Sequence, residues 1–290
     1  MDQAVTLREI FEGNGIEITE TTQSTGEVFL ITSGKGGVGK SMLATNLAVA
    51  AGTISNPSLL IDANTQGAHL DFMLNTHPKH RLNEVISGSV SIIEAIDHSL
   101  ENVHLLAGNE DIPINKNYSY DLRKRLMDKF DLITREYSSI IIDVDSSQLE
   151  NIEWFTKVCS SIALVTTPEV TSITDTYALI KYLISKLGKD LTIKIIVNRS
   201  KKENESKEIF RRLNLMTTNF LDMKISYAGS VPYMKSIERS IADQYPVALK
   251  NNSHGLAKMF ELIVTEIHAG GKKTLMKEMS ESPIPEQMSN

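Results

Sequence analysis

Short apolar runs and longer amphipathic stretches alternate from about residue 27 to residue 268, and this alternation predicts the architecture. Val28-Phe29-Leu30-Ile31 is a continuous apolar run of the kind that makes a buried strand. Similar runs follow at Leu59-Leu60-Ile61, Val103 to Ala107, Ser139 to Asp143, Ile162 to Thr167 and Ile193 to Val197, and a last strand ends at Val231-Pro232. Between them, Leu43, Leu47 and Ala51 recur at helical spacing. So do Leu122, Leu126, Phe130, Ile133 and Tyr137, then Ile173, Tyr177, Ile180, Ile184 and Leu187, and finally Leu256, Phe260, Ile263, Val264 and Ile267. Two shorter helical patterns occupy Arg81 to Glu101, and Ser172-x-x-Asp175 reads as an N-terminal cap. Strands alternating with helices predict a three-layer α/β fold, a mostly parallel twisted sheet with helices on both faces.

The pattern changes at both ends. Ala4, Leu7 and Phe11 lie on one side of a short helical pattern, Gly13-Asn14-Gly15 stops it, and a Thr/Ser-rich stretch to Gly26 reads as a linker. A helix this short is marginal alone, so residues 1–25 form an arm that either caps its own domain or is captured by a partner. Residues 26–269 form the folded domain. The tail, 270–290, is polar, with Lys272-Lys273, Leu275, Met276 and Met279 before Pro283 and Pro285. One apolar turn buries too little area for strong membrane anchoring, and a disordered tail is the simpler expectation.

Composition narrows the class. A chain of 290 residues, 41% hydrophobic and 23% charged, can bury one substantial core. A formal charge of −6 gives no support for bulk binding to nucleic acid, and Lys201-Lys202 and Arg211-Arg212 read as solvated helix faces. The single cysteine, Cys159, excludes an intrachain disulfide and reads as a small buried thiol at a helix-to-strand junction in a reducing compartment. No signal peptide and no membrane span are legible, so the expected location is the cytoplasm. His104, alone in its strand, reads as a satisfied histidine rather than a ligand.

Chemistry concentrates in Gly34-Lys35-Gly36-Gly37-Val38-Gly39-Lys40-Ser41, which fits G-x-x-x-x-G-K-[ST] and joins a strand end to a helix start that includes Met42. Backbone N–H groups and the positive end of the helix dipole converge there on an anion, and glycines let the backbone come close to phosphate oxygens. Lys40 would reach the β- and γ-phosphates, and the Ser41 hydroxyl would ligate magnesium. Asp62 and Asp143 each end an apolar strand, where open α/β sheets build their ligand crevice.

Lys35, early in the loop, makes it resemble the KGGVGK[ST] signature of the MinD/ParA family of P-loop NTPases. The resemblance implies an ATP- and Mg²⁺-binding protein in which Lys35 contacts a partner subunit's nucleotide, so that ATP holds a homodimer. Asp2-Gln3-Ala4-x-x-Leu7-Arg8 further resembles the D-Q-A-x-x-L-R element of the FlhG (FleN/YlxH) branch, regulators of flagellar number and placement. There the element stimulates an FlhF-type GTPase. Gln3 and Arg8 would be polar contacts and Leu7 the apolar anchor. The branch also implies flagellar C-ring components or a flagellar transcription regulator as partners, and its relatives' tails imply peripheral contact with the inner face of the cell membrane.

Position by position, the likeness assigns Asp62 and Asp143 to the magnesium shell and Asn198, Arg199 and Pro232 to the nucleotide base. Two departures stand out. Asn64 takes the place of the aspartate credited with handling the attacking water, and an amide can orient water but cannot act as a base. Val144-Asp145-Ser146-Ser147 replaces a Gly-containing turn, where Asp145 either substitutes as base or adds repulsion toward phosphate. His69 replaces an asparagine, and Gln66 either positions water or is an exposed switch residue. Two functions follow: a slow dimerising ATPase regulator, or a nucleotide-binding scaffold without turnover. ParA-like segregation has no basic surface to support it.

Overall fold

In a computed structural model of the chain, the residues described are 26–64, 69–108, 132–249 and 254–270. The arm with Asp2, Gln3, Ala4, Leu7 and Arg8, the switch residue Gln66, the helical positions Leu122, Leu126 and Phe130, and the tail from residue 271 lie outside them.

Eight strands among the described residues form one sheet: β1 (Glu27–Ser33), β2 (Ser58–Asp62), β3 (Ile96–Asp97), β4 (Val103–Leu106), β5 (Ser139–Asp143), β6 (Ser161–Thr166), β7 (Ile193–Ser200) and β8 (Ser226–Pro232). Their spatial order is β3-β4-β2-β5-β1-β6-β7-β8. All pairings are parallel except that of β3 with β4. The chain runs outward from β1 toward β2 and later returns to build β6, β7 and β8 on the other side. β1 therefore lies at the switch point of the order, where ligands bind beyond the strands' carboxyl ends.

The strands read as unbroken apolar runs because helices cover both faces. Val28 and Leu30 join a core with Leu59, Ile61, Ile140, Ile142 and Leu164. Phe29 and Ile31 point the opposite way, into a core with Leu60, Ile141, Ala163 and Val165. The first core is closed by α3 (Leu82–Ser87), α4 (Ile92–Ala95), α5 (Leu149–Val158), α6 (Val170–Leu187) and α7 (Glu203–Leu221). The second is closed by α1 (Lys40–Ala51), α2 (Leu70–Leu74), α8 (Lys235–Ala242) and α9 (His254–His268). Helix α1 packs against both α9 and β5 and is buried from Met42 to Val49, which is why its apolar residues form no single stripe.

Most expected elements occupy their expected places. The helical pattern ending at Tyr137 appears as helical residues 132–136, with Ile133 and Tyr137 buried. His104 is half-buried and shares a 2.9 Å hydrogen bond between Nδ1 and the Tyr137 hydroxyl, the satisfied state anticipated for it. Cys159 caps α5 at its junction with the next strand, and burial pushes its thiol well above the usual range.

Ser172 is a correction: α6 begins at Val170, so Ser172 lies inside its first turn. Its hydroxyl there accepts from the Thr167 backbone N–H at 3.0 Å, tying the helix to the end of β6 rather than capping it.

Candidate nucleotide site

Three strand ends and one helix start meet at the loop. Leaving β1, the chain turns through Gly34 to Gly39 and enters α1 at Lys40, with Gly39 as N-cap at φ 94°. That left-handed conformation is one which residues with a Cβ adopt only at a cost. Gly34 is pinned differently: a Cβ there would fall 2.2 Å from the Asp175 carbonyl oxygen on α6. The loop is thus wedged between α6 and β7.

From β7, Asn198 reaches under the loop. It is 2% exposed, its Nδ2 donates to the Val38 carbonyl at 2.7 Å, and its Oδ1 accepts from the Arg199 backbone N–H at 2.9 Å. Both ends of the amide are engaged within the chain, so Asn198 braces the loop here. Arg199 adopts φ 59° and points outward. Ser200 pairs with Pro232, so the three residues assigned to a nucleotide base do come together at the ends of β7 and β8. Val38 and Met42 instead send their side chains into the core behind the loop, which leaves them only backbone groups to offer an anion. The Met42 side chain lies on the face of α1 turned toward α2, and its backbone stays at the helix start.

At the foot of the loop lies a cluster of oxygens. The Ser41 hydroxyl donates to Asp143 Oδ2 at 2.6 Å. Asn64, 5% exposed, spans two carboxylates, donating from Nδ2 to Asp62 Oδ1 at 2.9 Å and to Asp143 Oδ2 at 3.1 Å. Asp62 also accepts from the backbone N–H groups of Asn64 and Leu70, at 3.2 and 3.4 Å. Burial, together with the nearby Asp143 charge, pushes the Asp62 carboxyl up to about 7, and burial likewise raises Asp143. Asn64 is thus the amide that separates two acids.

Both signature lysines hold carboxylates of their own chain. Lys40 Nζ lies 3.3 Å from Asp145 Oδ2, and Lys35 Nζ donates to Glu169 Oε2 at 2.6 Å and to the Thr171 hydroxyl at 2.9 Å. Burial would raise the Asp145 carboxyl, but the Ser147 backbone N–H and the Lys40 charge together hold it below the ordinary carboxylate range. Neither pairing was legible beforehand, since the partners lie on elements far apart in sequence. His69 caps α2 and is exposed.

The donor set fits a magnesium–nucleotide pair. Two buried oxygens in the cluster, Asp143 Oδ1 and Asn64 Oδ1, have no hydrogen-bond partner among the described residues. Buried orphan acceptors beside a hydroxyl and a second carboxylate are what a hard cation with oxygen ligands would satisfy. Above them, the helix start supplies backbone N–H groups and Lys40 a buried ammonium.

Comparison with known proteins agrees with this geometry. The chain is 28% identical over 221 residues to the antiactivator FleN of Pseudomonas aeruginosa, covering 76% of this chain and 79% of that protein. It is 25% identical over 218 residues to the flagellum site-determining protein YlxH of Helicobacter pylori, covering 74% and 72%. Its fold matches the septum site-determining protein MinD of Pyrococcus horikoshii, solved with Mg-ADP, at a TM-score of 0.65 and 24% identity, covering 84% of this chain and 96% of that one. A family model matches residues 29–247, and the chain belongs to the CobQ/CobB/MinD/ParA nucleotide-binding domain family.

Proposed function

We propose that the protein is an ATP-binding regulator of flagellar number and placement, in which ATP and Mg²⁺ hold two copies together and hydrolysis is slow. The observation that carries the nucleotide reading is the Ser41–Asp62–Asn64–Asp143 cluster, with its orphan oxygens, at the foot of a glycine loop. Ser41, Asp62 and Asp143 would hold the magnesium, and Lys40 with the backbone of 34–42 would hold the phosphates. Bound magnesium would neutralise phosphate charge. The flagellar reading rests on the FleN and YlxH relatives, the latter a flagellum site-determining protein.

Slow turnover is supported by Asn64, whose amide cannot take a proton from water and whose N–H groups are committed to two carboxylates. The same observation favours the second reading, a nucleotide-held scaffold with no turnover at all. Phosphate release by the wild type beside Asn64→Asp separates the two. A slow rate that rises in the variant supports the regulator, and no release by either supports the scaffold.

Lys35 is the residue through which the two copies would meet, and the arm at residues 1–25 is the segment that would stimulate an FlhF-type GTPase. Light scattering in saturating Mg-ATP tests the first: the wild type doubles in mass and Lys35→Ala stays single. Lone subunits in both would defeat the dimer reading. Capture of an FlhF-type GTPase by the full chain, lost on deleting 1–25, tests the second.

A further inference from the structure

We propose that Asp145 competes with phosphate for Lys40: its carboxylate sits at the loop's ammonium, and the β- and γ-phosphates of a nucleoside di- or triphosphate must displace it to bind. The inference rests on the nucleotide reading above and adds a residue that sets affinity and discriminates by phosphate number.

The geometry is specific. Asp145 Oδ2 lies 3.3 Å from Lys40 Nζ, and the two side chains are 39% and 7% exposed. The carboxylate therefore covers an ammonium that has little other access to solvent. Its other oxygen is fixed, accepting from the Ser147 backbone N–H at 2.9 Å and from the Ser147 hydroxyl at 2.8 Å. Asp145 is thus aimed at Lys40 by its own turn. That turn also lies against the loop, with the Ser146 hydroxyl oxygen 4.0 Å from where a Cβ on Gly36 would be.

Lysine has three donors, so hydrogen-bond capacity does not force a choice. Charge does: a carboxylate and a phosphate drawn to one buried ammonium repel each other, and that repulsion is weakly screened there. Binding therefore selects the arrangement in which Asp145 has let go, and the observed affinity is reduced by the fraction of molecules in which it has not. A ligand whose phosphate does not reach Lys40 has no such handicap.

The experiment is calorimetric titration of the full chain with ADP and with AMP, both with Mg²⁺, for the wild type and Asp145→Asn. Asparagine keeps the turn's acceptor and removes the charge. The variant should bind ADP about tenfold more tightly, with AMP affinity changed less than about twofold. Unchanged or weaker ADP binding overturns the proposal, as does an equal gain for AMP, which would mean a generally looser site. If Asp145→Asn does not fold, Ser147→Ala, which loosens the aim of the carboxylate, decides by the same comparison: a gain for ADP and not AMP supports the proposal, and no gain overturns it. Failure of the wild type and every variant to bind ADP at millimolar concentration overturns this inference and the nucleotide reading together.

Discussion

A Cβ on Gly39 would lie 2.5 Å from Nδ2 of Asn198, the amide that holds the Val38 carbonyl. The loop's last glycine and the β7 asparagine therefore exclude each other's growth: the loop can be braced from beneath only because position 39 has no side chain.

Gly39→Ala meets both that contact and a backbone at φ 94°. The backbone alone costs about 1–2 kcal/mol for a residue with a Cβ. Denaturant unfolding should show that loss or more. Asn198→Ala removes the obstacle together with the brace, so the double variant should lose less than the sum of the two single variants.

Asn64→Asp should weaken the protein in metal-free buffer. It replaces an amide that donates to two buried carboxylates with a third carboxylate. Charge-assisted hydrogen bonds contribute about 1.5–3 kcal/mol each, so the melting midpoint without magnesium should fall clearly. Added Mg-ADP should restore more of the midpoint in the variant than in the wild type, because a cation compensates the extra charge. An unchanged midpoint in chelator would show that Asn64 does not bridge the acids in solution.

Lys35→Ala should leave the melting midpoint where it is. The Lys35–Glu169 pair is exposed, and surface ion pairs contribute little to stability. Loss of nucleotide-dependent association in this variant would then report on Lys35 itself and not on unfolding. A substantial drop in midpoint would remove that inference.

His104 sets a pH dependence. Burial, with the His98 ring beside it, holds its pKa below the usual 6.5. Above that value the histidine is neutral whether the chain is folded or unfolded, and its contribution is intact. As pH falls below about 6.5 the unfolded chain takes up the proton first, and stability drains away until the folded-state pKa is passed. His104→Gln should flatten the stability profile below pH 6.5, measured by urea unfolding as the pH is lowered. An unaltered slope would show that other groups carry it.

Much of the fold could be read from periodicity, and the reasons are local. Strands such as Val28 to Ile31 and Ile140 to Ile142 are apolar on both faces because both faces are covered, so each is a short continuous run. Helix α7 was marked only by its exposed Arg211-Arg212, since its inward face mixes Ile209 and Leu213 with Ser206 and Thr217 and the apolar stripe is broken. Strand β3 has two residues, too few for any period to register. In the site, the glycine loop, Ser41, Asp62 and Asp143 stood out because each belongs to a strand-end motif. The roles of Asn198 and Asp145 did not, since each depends on what lies across the crevice.

The sequence by itself determined most of the alternating strands and helices, the phosphate loop and the family, because hydrophobic period and loop chemistry are written in adjacent residues. Only the tertiary structure decided that Lys40 meets Asp145, that Lys35 meets Glu169, and that Asn64 lies between two acids. Those pairings join residues separated in sequence by 105, 134 and 79 positions for Lys40–Asp145, Lys35–Glu169 and Asn64–Asp143. Electrostatic partners are set by distances of a few ångströms, and which strand ends come within that distance follows from the order of the sheet rather than from any local pattern.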